Sequence, residues 1–273
     1  VRGAFYYPWY PQTWYADQHN HPALGDYDSS SLPVIDTHLD EMAQAKIGLG
    51  IASWWGQGTK TDSRISTILN ETTAHGSTVR WALYYEQEGS GNPSVSQIES
   101  DLSYINSHYG QQTAFARISG KPVVFVYSQG TDGCASSTDM VQRWYSANQA
   151  LGSPDYIVLK VFSGYATCPD QPDNWHQYAP AARQGQHGTH SYFVSPGFWL
   201  HSDATPRLVR NPAAFALAVQ AMTAANVDFK LVETFNEWGE DTGVENAVST
   251  EWGDCYVSIL HNDGQGALPA SCA

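Results

Sequence analysis

Short runs rich in apolar, β-branched and aromatic residues recur along the chain at 3–7, 48–54, 79–85, 122–127, 156–162, 192–194 and 229–235. Each is nearly continuous in its hydrophobicity, the pattern of a strand buried on both faces. Between several of them the apolar spacing changes to three and four. Ile35, Leu39, Met42, Ala43 and Ile47 form one such stripe, and Val95, Ile98, Leu102 and Ile105 another, which predicts amphipathic helices. Asn211 followed by Pro212 is a cap and first-turn signal for a helix carrying Phe215, Val219 and Met222, and a further helix is predicted over 62–74. A weaker run at 174–178, between irregular segments, supplies an eighth strand.

Eight strands alternating with helices over some 250 residues predict an α/β chain closed into a (β/α)8 barrel, with an open doubly wound sheet as the competing arrangement. No Gly-x-Gly-x-x-Gly turn follows the first strand, so the dinucleotide-binding version of the open sheet lacks its signature. No repeat, linker or low-complexity tract divides the chain. A single domain over 1–273 is expected, with 260–273 as a C-terminal tail.

Composition narrows the function classes. With 13 Lys and Arg against 27 Asp and Glu, the formal net charge is −14, which repels nucleic acid and anionic membranes. Neither is expected as a partner. The longest apolar runs fall far short of the roughly 20 residues that cross a bilayer. The four cysteines, Cys134, Cys168, Cys255 and Cys272, show no Cys-x-x-Cys spacing and read as two disulfides. Three pairings are possible; Cys134–Cys168 with Cys255–Cys272 is the expectation. Disulfides, with a chain that opens directly on a strand, predict a mature secreted protein.

Ten Trp and 16 Tyr against 9 Phe mean that most rings carry a polar edge. Such rings suit sugars, which offer C–H faces for stacking and hydroxyls for hydrogen bonding. In a barrel the residues just past each strand build the site. Here they include Tyr7 and Trp9, Trp54 and Trp55, Tyr85 and Glu86, Tyr127, and the segment Phe235-Asn236-Glu237-Trp238-Gly239-Glu240. Two carboxylates three apart past a strand end can face one pocket, and glycosidic cleavage generally needs one group to give a proton and one to take it. Glu237 and Glu240 are therefore the candidate catalytic pair, with Asp241, Glu245 and Glu251 as weaker acids nearby. Glu86 is a candidate for holding a substrate hydroxyl, since a buried carboxylate needs partners.

Taken together, these segments resemble glycoside hydrolase family 99, the endo-α-mannosidases and endo-α-mannanases. The resemblance is carried by Tyr7-Pro8-Trp9-Tyr10, His21-Pro22 with Gly25-Asp26-Tyr27, Ser53-Trp54-Trp55-Gly56, Gly120-Lys121-Pro122, Pro196-Gly197-Phe198, and most specifically Thr234-Phe235-Asn236-Glu237-Trp238-Gly239-Glu240-Asp241-Thr242. It implies a (β/α)8 fold and endo-acting, retaining hydrolysis of α-mannose-configured glycans without a cofactor. It also implies Glu237 as base and Glu240 as acid. In the family's proposed route the base deprotonates the sugar's own 2-hydroxyl, which closes onto the anomeric carbon. That step requires a 2-hydroxyl anti to the leaving group, a condition met by an α-mannoside and not by an α-glucoside. His21 and Tyr192 are placed near the pocket, Tyr192 to orient the acid, with Tyr7, Trp9, Trp54, Trp55, Tyr85, Glu86, Tyr127, Asn236 and Trp238 as sugar contacts. Two positions depart from the family pattern: Asp241 stands where Gly is usual and Asn246 where Pro is usual. Asp241 is expected to raise the proton affinity of Glu240 or to touch a substrate hydroxyl.

Two other readings keep the same residues. In one, a non-catalytic barrel binds carbohydrate through its aromatic rim. In the other, a retaining glycosidase acts on a different polysaccharide, Asn-Glu marking its acid/base residue and another Glu its nucleophile. His19 with His21, and His187 with His190, match no zinc pattern, and no Gly-x-Ser-x-Gly elbow is present for serine chemistry. A monomer with no metal is expected.

Overall fold

The computed structural model describes residues 1–129 and 132–272; Gly130, Thr131 and Ala273, the last residue of the predicted tail, lie outside the described residues. Among the described residues ten strands form: β1 Arg2–Tyr6, β2 Leu49–Trp54, β3 Arg80–Tyr85, β4 Arg117–Ile118, β5 Lys121–Val126, β6 Tyr156–Lys160, β7 Asn174–His176, β8 Gln184–His187, β9 Ser191–Val194 and β10 Phe229–Val232. The helices are α1 Leu32–Gln44, α2 Lys60–Ala74, α3 Glu88–Gly91, α4 Val95–His108, α5 Met140–Ala150, α6 Pro212–Ala224 and α7 Cys255–His261. All seven predicted strands and the weak eighth are present. The run at 229–235 stops as a strand at Val232, and its last residues turn into the loop that carries the carboxylates. Helices α3, α5 and α7 and the short antiparallel strands β4 and β8 were not anticipated from the spacing.

Eight strands pair in parallel in the order β7-β6-β5-β3-β2-β1-β10-β9, with β8 antiparallel on the outer side of β9. The sheet curls into a nearly closed (β/α)8 barrel. Among the described residues no backbone ladder joins β7 to β9. Side chains bridge that seam: the Asn174 amide donates to Asp228 Oδ2 at 2.8 Å, and Asn174 Oδ1 meets His190 Nδ1 at 2.8 Å. Inside, Phe5, Ile51, Val123, Phe125, Val158, Phe193, Phe229 and Leu231 fill the lumen, with the Phe125 and Phe229 rings 5.1 Å apart. Outside, Tyr6, Trp54, Leu83, Tyr85 and Val126 pack against the helices.

Side chains of a strand alternate between faces, so the pleat decides which residue of each pair reaches the lumen. Phe5 and Tyr7 point in while Ala4 and Tyr6 point out; Ala82 and Tyr84 point in while Leu83 and Tyr85 point out. The helices begin with ordinary devices: Thr59, Ser94 and Asn211 accept backbone N–H bonds in the first turns of α2, α4 and α6.

Both disulfides take the expected pairing, Cys134–Cys168 across 34 positions and Cys255–Cys272 across 17. The first ties the segment after β5 to that after β6; the second anchors the C-terminal segment onto α7. Two disulfides are compatible with a non-cytoplasmic protein, and no helix among the described residues is long and apolar enough to cross a membrane. Alkylation without reductant should leave the intact mass unchanged. The variant Cys272→Ser should lose about 3 kcal/mol of stability in urea unfolding, the loop-closure value for a bridge of this span.

Candidate active site

The strand β10 delivers a tight loop onto the C-terminal rim of the barrel. Its two limbs bond to each other, Thr234 N to Thr242 O at 2.8 Å and Val244 N to Thr234 O at 3.1 Å. The Thr234 hydroxyl also accepts from Glu237 N at 2.9 Å. Within this frame Glu237 is 4% exposed. Its two oxygens accept the Gly239 and Glu240 backbone N–H groups at 3.1 and 3.2 Å. A Cβ at Gly239 would stand 2.8 Å from the Tyr15 ring and 3.3 Å from Glu237 Oε1, so a side chain there would have to displace Tyr15.

Glu240 is less enclosed and opens to the cleft. Its Oε2 accepts the Tyr178 hydroxyl at 3.1 Å. Burial raises the proton affinity of both carboxyls, and the charge of Glu240 raises Glu237 further, while the Tyr178 hydroxyl and the nearby Arg207 guanidinium favour ionised Glu240. Two acids arranged this way titrate as a pair and retain a proton well above the usual carboxylate range. Burial alone leaves that proton on Glu237, the deeper carboxyl. The two N–H donors on its oxygens pull the other way.

The top layer of the lumen beneath this pair is polar. Tyr7, Tyr84 and Tyr127 from the first strands face Tyr178, with the Tyr84 and Tyr178 ring centroids 6.1 Å apart. Glu86 is buried beside Ser53 and is pushed up to about 8, first by burial and further by Glu240, with Ser53 and Lys160 pulling it down. Lys160 donates to Ser128 O at 2.6 Å and lies 4.6 Å above the Tyr127 ring. Glu233 accepts Ala179 N at 2.8 Å and is also raised by burial. Of these groups, Tyr84, Lys160, Tyr178 and Glu233 were not picked out in the sequence. The pleat rule would have found Tyr84 and Glu233, which lie two residues beyond lumen-facing Ala82 and Leu231. Tyr178 follows a three-residue strand of weak pattern.

The predicted site residues divide into two groups. Tyr7, Glu86, Tyr127, Glu237 and Glu240 converge on the cleft, Trp9 is half-buried with its ring 4.5 Å from that of Tyr7, and Trp55 stands 39% exposed at the rim. Six others are directed elsewhere. Trp54 and Tyr85 face the helices and bond to Asp62 and Asp101, because they fall on the outward phase of their strands. Tyr192 is also on the outward phase and donates to Gln184 Oε1 at 3.0 Å; Tyr178 occupies the position expected of it beside Glu240. His21 lies at the surface against Glu251. The remaining two, Asn236 and Trp238, are buried in the scaffold of the loop.

That scaffold centres on Glu245. Its carboxylate accepts the Trp238 indole N–H at 2.7 Å and the Tyr27 hydroxyl at 2.8 Å, and meets His38 Nε2 at 3.1 Å. The ring of His38 is in turn 3.0 Å from the Tyr6 hydroxyl. Asn236 accepts from Tyr7 N at 2.7 Å and donates to Tyr7 O at 3.1 Å and the Tyr27 hydroxyl at 3.2 Å. The Tyr10 hydroxyl donates to Asn236 O and accepts from Trp238 N. The candidate carboxylates are thus clamped to β1 from both sides.

Asp241 differs from its predicted role. Its carboxylate is held by Arg210, at 3.1 Å from Nη2, and by the Asn20 amide at 2.9 Å, and the Arg210 guanidinium lies 3.6 Å over the Trp252 ring. Its charge raises Glu237 rather than Glu240. The position does require an unusual backbone, φ +53°, a left-handed conformation that Gly, Asn and Asp adopt most readily. Asn246 donates its backbone N–H to Glu41 Oε2 at 3.1 Å, a bond that proline could not make. Among the described residues no cluster of three or more metal-ligating side chains is present.

Comparison with known proteins converges on one family. The profile of glycosyl hydrolase family 99 matches residues 16–206, a span that ends before the Glu237 loop. A glycoprotein endo-alpha-1,2-mannosidase-like protein of Mus musculus is 23% identical over 278 residues, covering 84% of this chain and 58% of that protein. A glycoprotein endo-alpha-1,2-mannosidase of Rattus norvegicus is 23% identical over 269 residues, covering 84% and 56%. The chain therefore spans little more than half the length of these relatives. In fold it is similar to a family 99 endo-alpha-mannosidase of Bacteroides thetaiotaomicron solved with bis-tris propane, with a TM-score of 0.73, 18% identity and 96% of each chain covered. A solved glycoside hydrolase-like protein gives a TM-score of 0.73 at 16% identity, covering 97% of this chain and 94% of the other.

Two measurements check the scaffold. Glu245→Ala strips three buried partners of their acceptor and should cost about 3–5 kcal/mol in urea unfolding. Glu41 is pushed up to about 7, chiefly by burial and then by Glu245. The folded chain therefore binds its proton more tightly than the unfolded chain, so its contribution to stability is full below the ordinary glutamate range and is lost as pH rises through about 7. Glu41→Gln should flatten the decline in unfolding free energy between about pH 4.5 and 8 by up to about 3 kcal/mol.

Proposed function

Since the chain belongs to glycosyl hydrolase family 99, we propose that it is a secreted, endo-acting glycoside hydrolase that cleaves α-mannose-configured glycans with retention, through Glu237 and Glu240. The observation that carries this reading is the carboxylate pair itself: two buried acids on one short loop, one bound by two backbone N–H groups and the other capped by a phenol at the cleft.

The roles are those the family's route gives. Glu237 acts as the base that takes the proton of the sugar's 2-hydroxyl, its two N–H donors favouring the anion against the burial that raises it. That oxygen closes on the anomeric carbon as the glycosidic bond breaks. Glu240, open to the cleft, delivers the pair's retained proton to the departing oxygen, with Tyr178 holding its carboxyl in line. Glu240 then takes a proton from water as the water attacks the anomeric carbon and breaks its bond to the 2-oxygen; Glu237 returns its proton to that oxygen, and the second inversion restores the original configuration. Only a 2-hydroxyl anti to the leaving group permits the first step, the chemical reason for preferring an α-mannoside. The names of the relatives point the same way, since those proteins are described as acting on alpha-mannosides. Tyr7, Trp9, Trp55, Glu86 and Tyr127 line the approach and would hold the sugar. Secretion is supported by the two disulfides.

Mass spectrometry of products from α-mannans, α-glucans and other polysaccharides tests the reading. Oligosaccharides should appear from α-manno-configured polymers alone. Glu237→Gln and Glu240→Gln should each lower turnover by at least about 100-fold with unfolding temperatures equal to or above that of the parent. A variant that keeps the parent rate removes that residue from the mechanism, and release from another glycan removes the mannose assignment.

A further inference from the structure

Outside the lumen, two loops lie against the carboxylate loop and bring four rings together. The segment after β9 is bonded to it through the backbone, Trp199 N to Glu240 O and His201 N to Gly239 O, both at 2.8 Å. The segment after β1 lies against the other two: Tyr15 stacks on His201 with centroids 3.7 Å apart and planes 7° from parallel, and His19 stacks on Trp199 at 3.7 Å and 18°. His19 Nε2 also meets Leu200 O at 3.2 Å, and His201 Nδ1 meets Asp17 at 2.8 Å. These pairs are fixed by the same backbone that fixes the acids.

Tyr15 is 42% exposed although His201 covers one of its faces, so the accessible area belongs to its other face and edge. Its ring packs on Gly239, within reach of Glu237. An exposed aromatic face beside a carboxylate pair offers what a pyranose needs: a flat apolar surface for its C–H face, with imidazole and carboxylate edges for its hydroxyls. The wall is joined through its backbone to Gly239 and to Glu240, the residue that the reading above makes the proton donor to the departing oxygen.

We infer that the Tyr15/His201 and His19/Trp199 pairs form a platform for the sugar units on the leaving-group side of the cleaved bond. This rests on the hydrolase reading above and adds to it the residues that would grip the departing part of the glycan. A ring platform held by two loops selects for a glycan that continues past the scissile bond.

The test compares two substrates in parallel: an α-manno-oligosaccharide, whose leaving group is a sugar, and a glycosyl fluoride of the same configuration, whose leaving group is fluoride. Tyr15→Ala should lower kcat/KM on the oligosaccharide about tenfold more than on the fluoride, the scale of one stacking contact. His201→Ala, which exposes Tyr15 without removing it, provides a second variant and should show the same differential in smaller measure. Equal losses on the two substrates, or none on either, overturn the platform and leave the hydrolase reading standing. Binding separates the two claims further. If the parent cleaves nothing, yet titration with manno-oligosaccharides shifts its Tyr and Trp resonances and Tyr15→Ala weakens that binding about tenfold, the hydrolase reading falls and a sugar-binding platform remains. Binding unchanged in Tyr15→Ala overturns the platform.

Discussion

Burial of one charged acceptor, the Glu245 carboxylate, organises the rim of the barrel. A carboxylate removed from water must be met by donors. Here the donors are the indole of Trp238, the phenol of Tyr27 and the imidazole of His38. Each of these belongs to a different part of the chain, so satisfying one charge fixes three segments at once: the carboxylate loop, the loop after β1, and α1. Tyr27 passes the constraint to Asn236, which grips the backbone of Tyr7 through both its donor and its acceptor. The positions of Glu237 and Glu240 follow from this, since each is adjacent in sequence to Trp238 or one residue removed from it.

Much of the fold was legible because it depends on local pattern. Continuous apolar runs separated by three-to-four spacing are a direct record of strands buried between a lumen and a ring of helices. What failed was the assignment of faces. Trp54 and Tyr85 looked like sugar contacts because they end their strands, yet alternation turns them outward and brings Ser53 and Tyr84 inward. The same rule sends Tyr192 away from the cleft. Counting in twos from a lumen residue of the same strand, Ile51, Ala82 or Phe193, would have corrected all three, had the lumen phase been known beforehand.

The site was legible where it is contiguous and illegible where it is assembled. Glu237 and Glu240 share one loop with Asn236 and Trp238, and the loop stands out as a string. Glu245 received only a weak claim, because its importance lies in partners at 27 and 38, more than 200 positions away in the chain. Lys160 and Glu233 likewise meet only after the barrel curls. One ammonium then sits among several buried carboxyls whose proton affinities burial raises. Glu86 and Glu233 both draw on this one ammonium, while Glu240 and Asp241 draw on Arg207 and Arg210.

Asp241 shows how such a rim constrains change over time. Its left-handed backbone admits few residue types, and its carboxylate neutralises an arginine that rests on Trp252. Replacing it with glycine would suit the backbone but leave the guanidinium only the Asp241 and Gly243 carbonyls; replacing Arg210 first would leave the acid only the Asn20 amide. Neither single step is neutral, so the two positions form a unit of inheritance. A change at either end of this pair thus costs something until the other end changes with it.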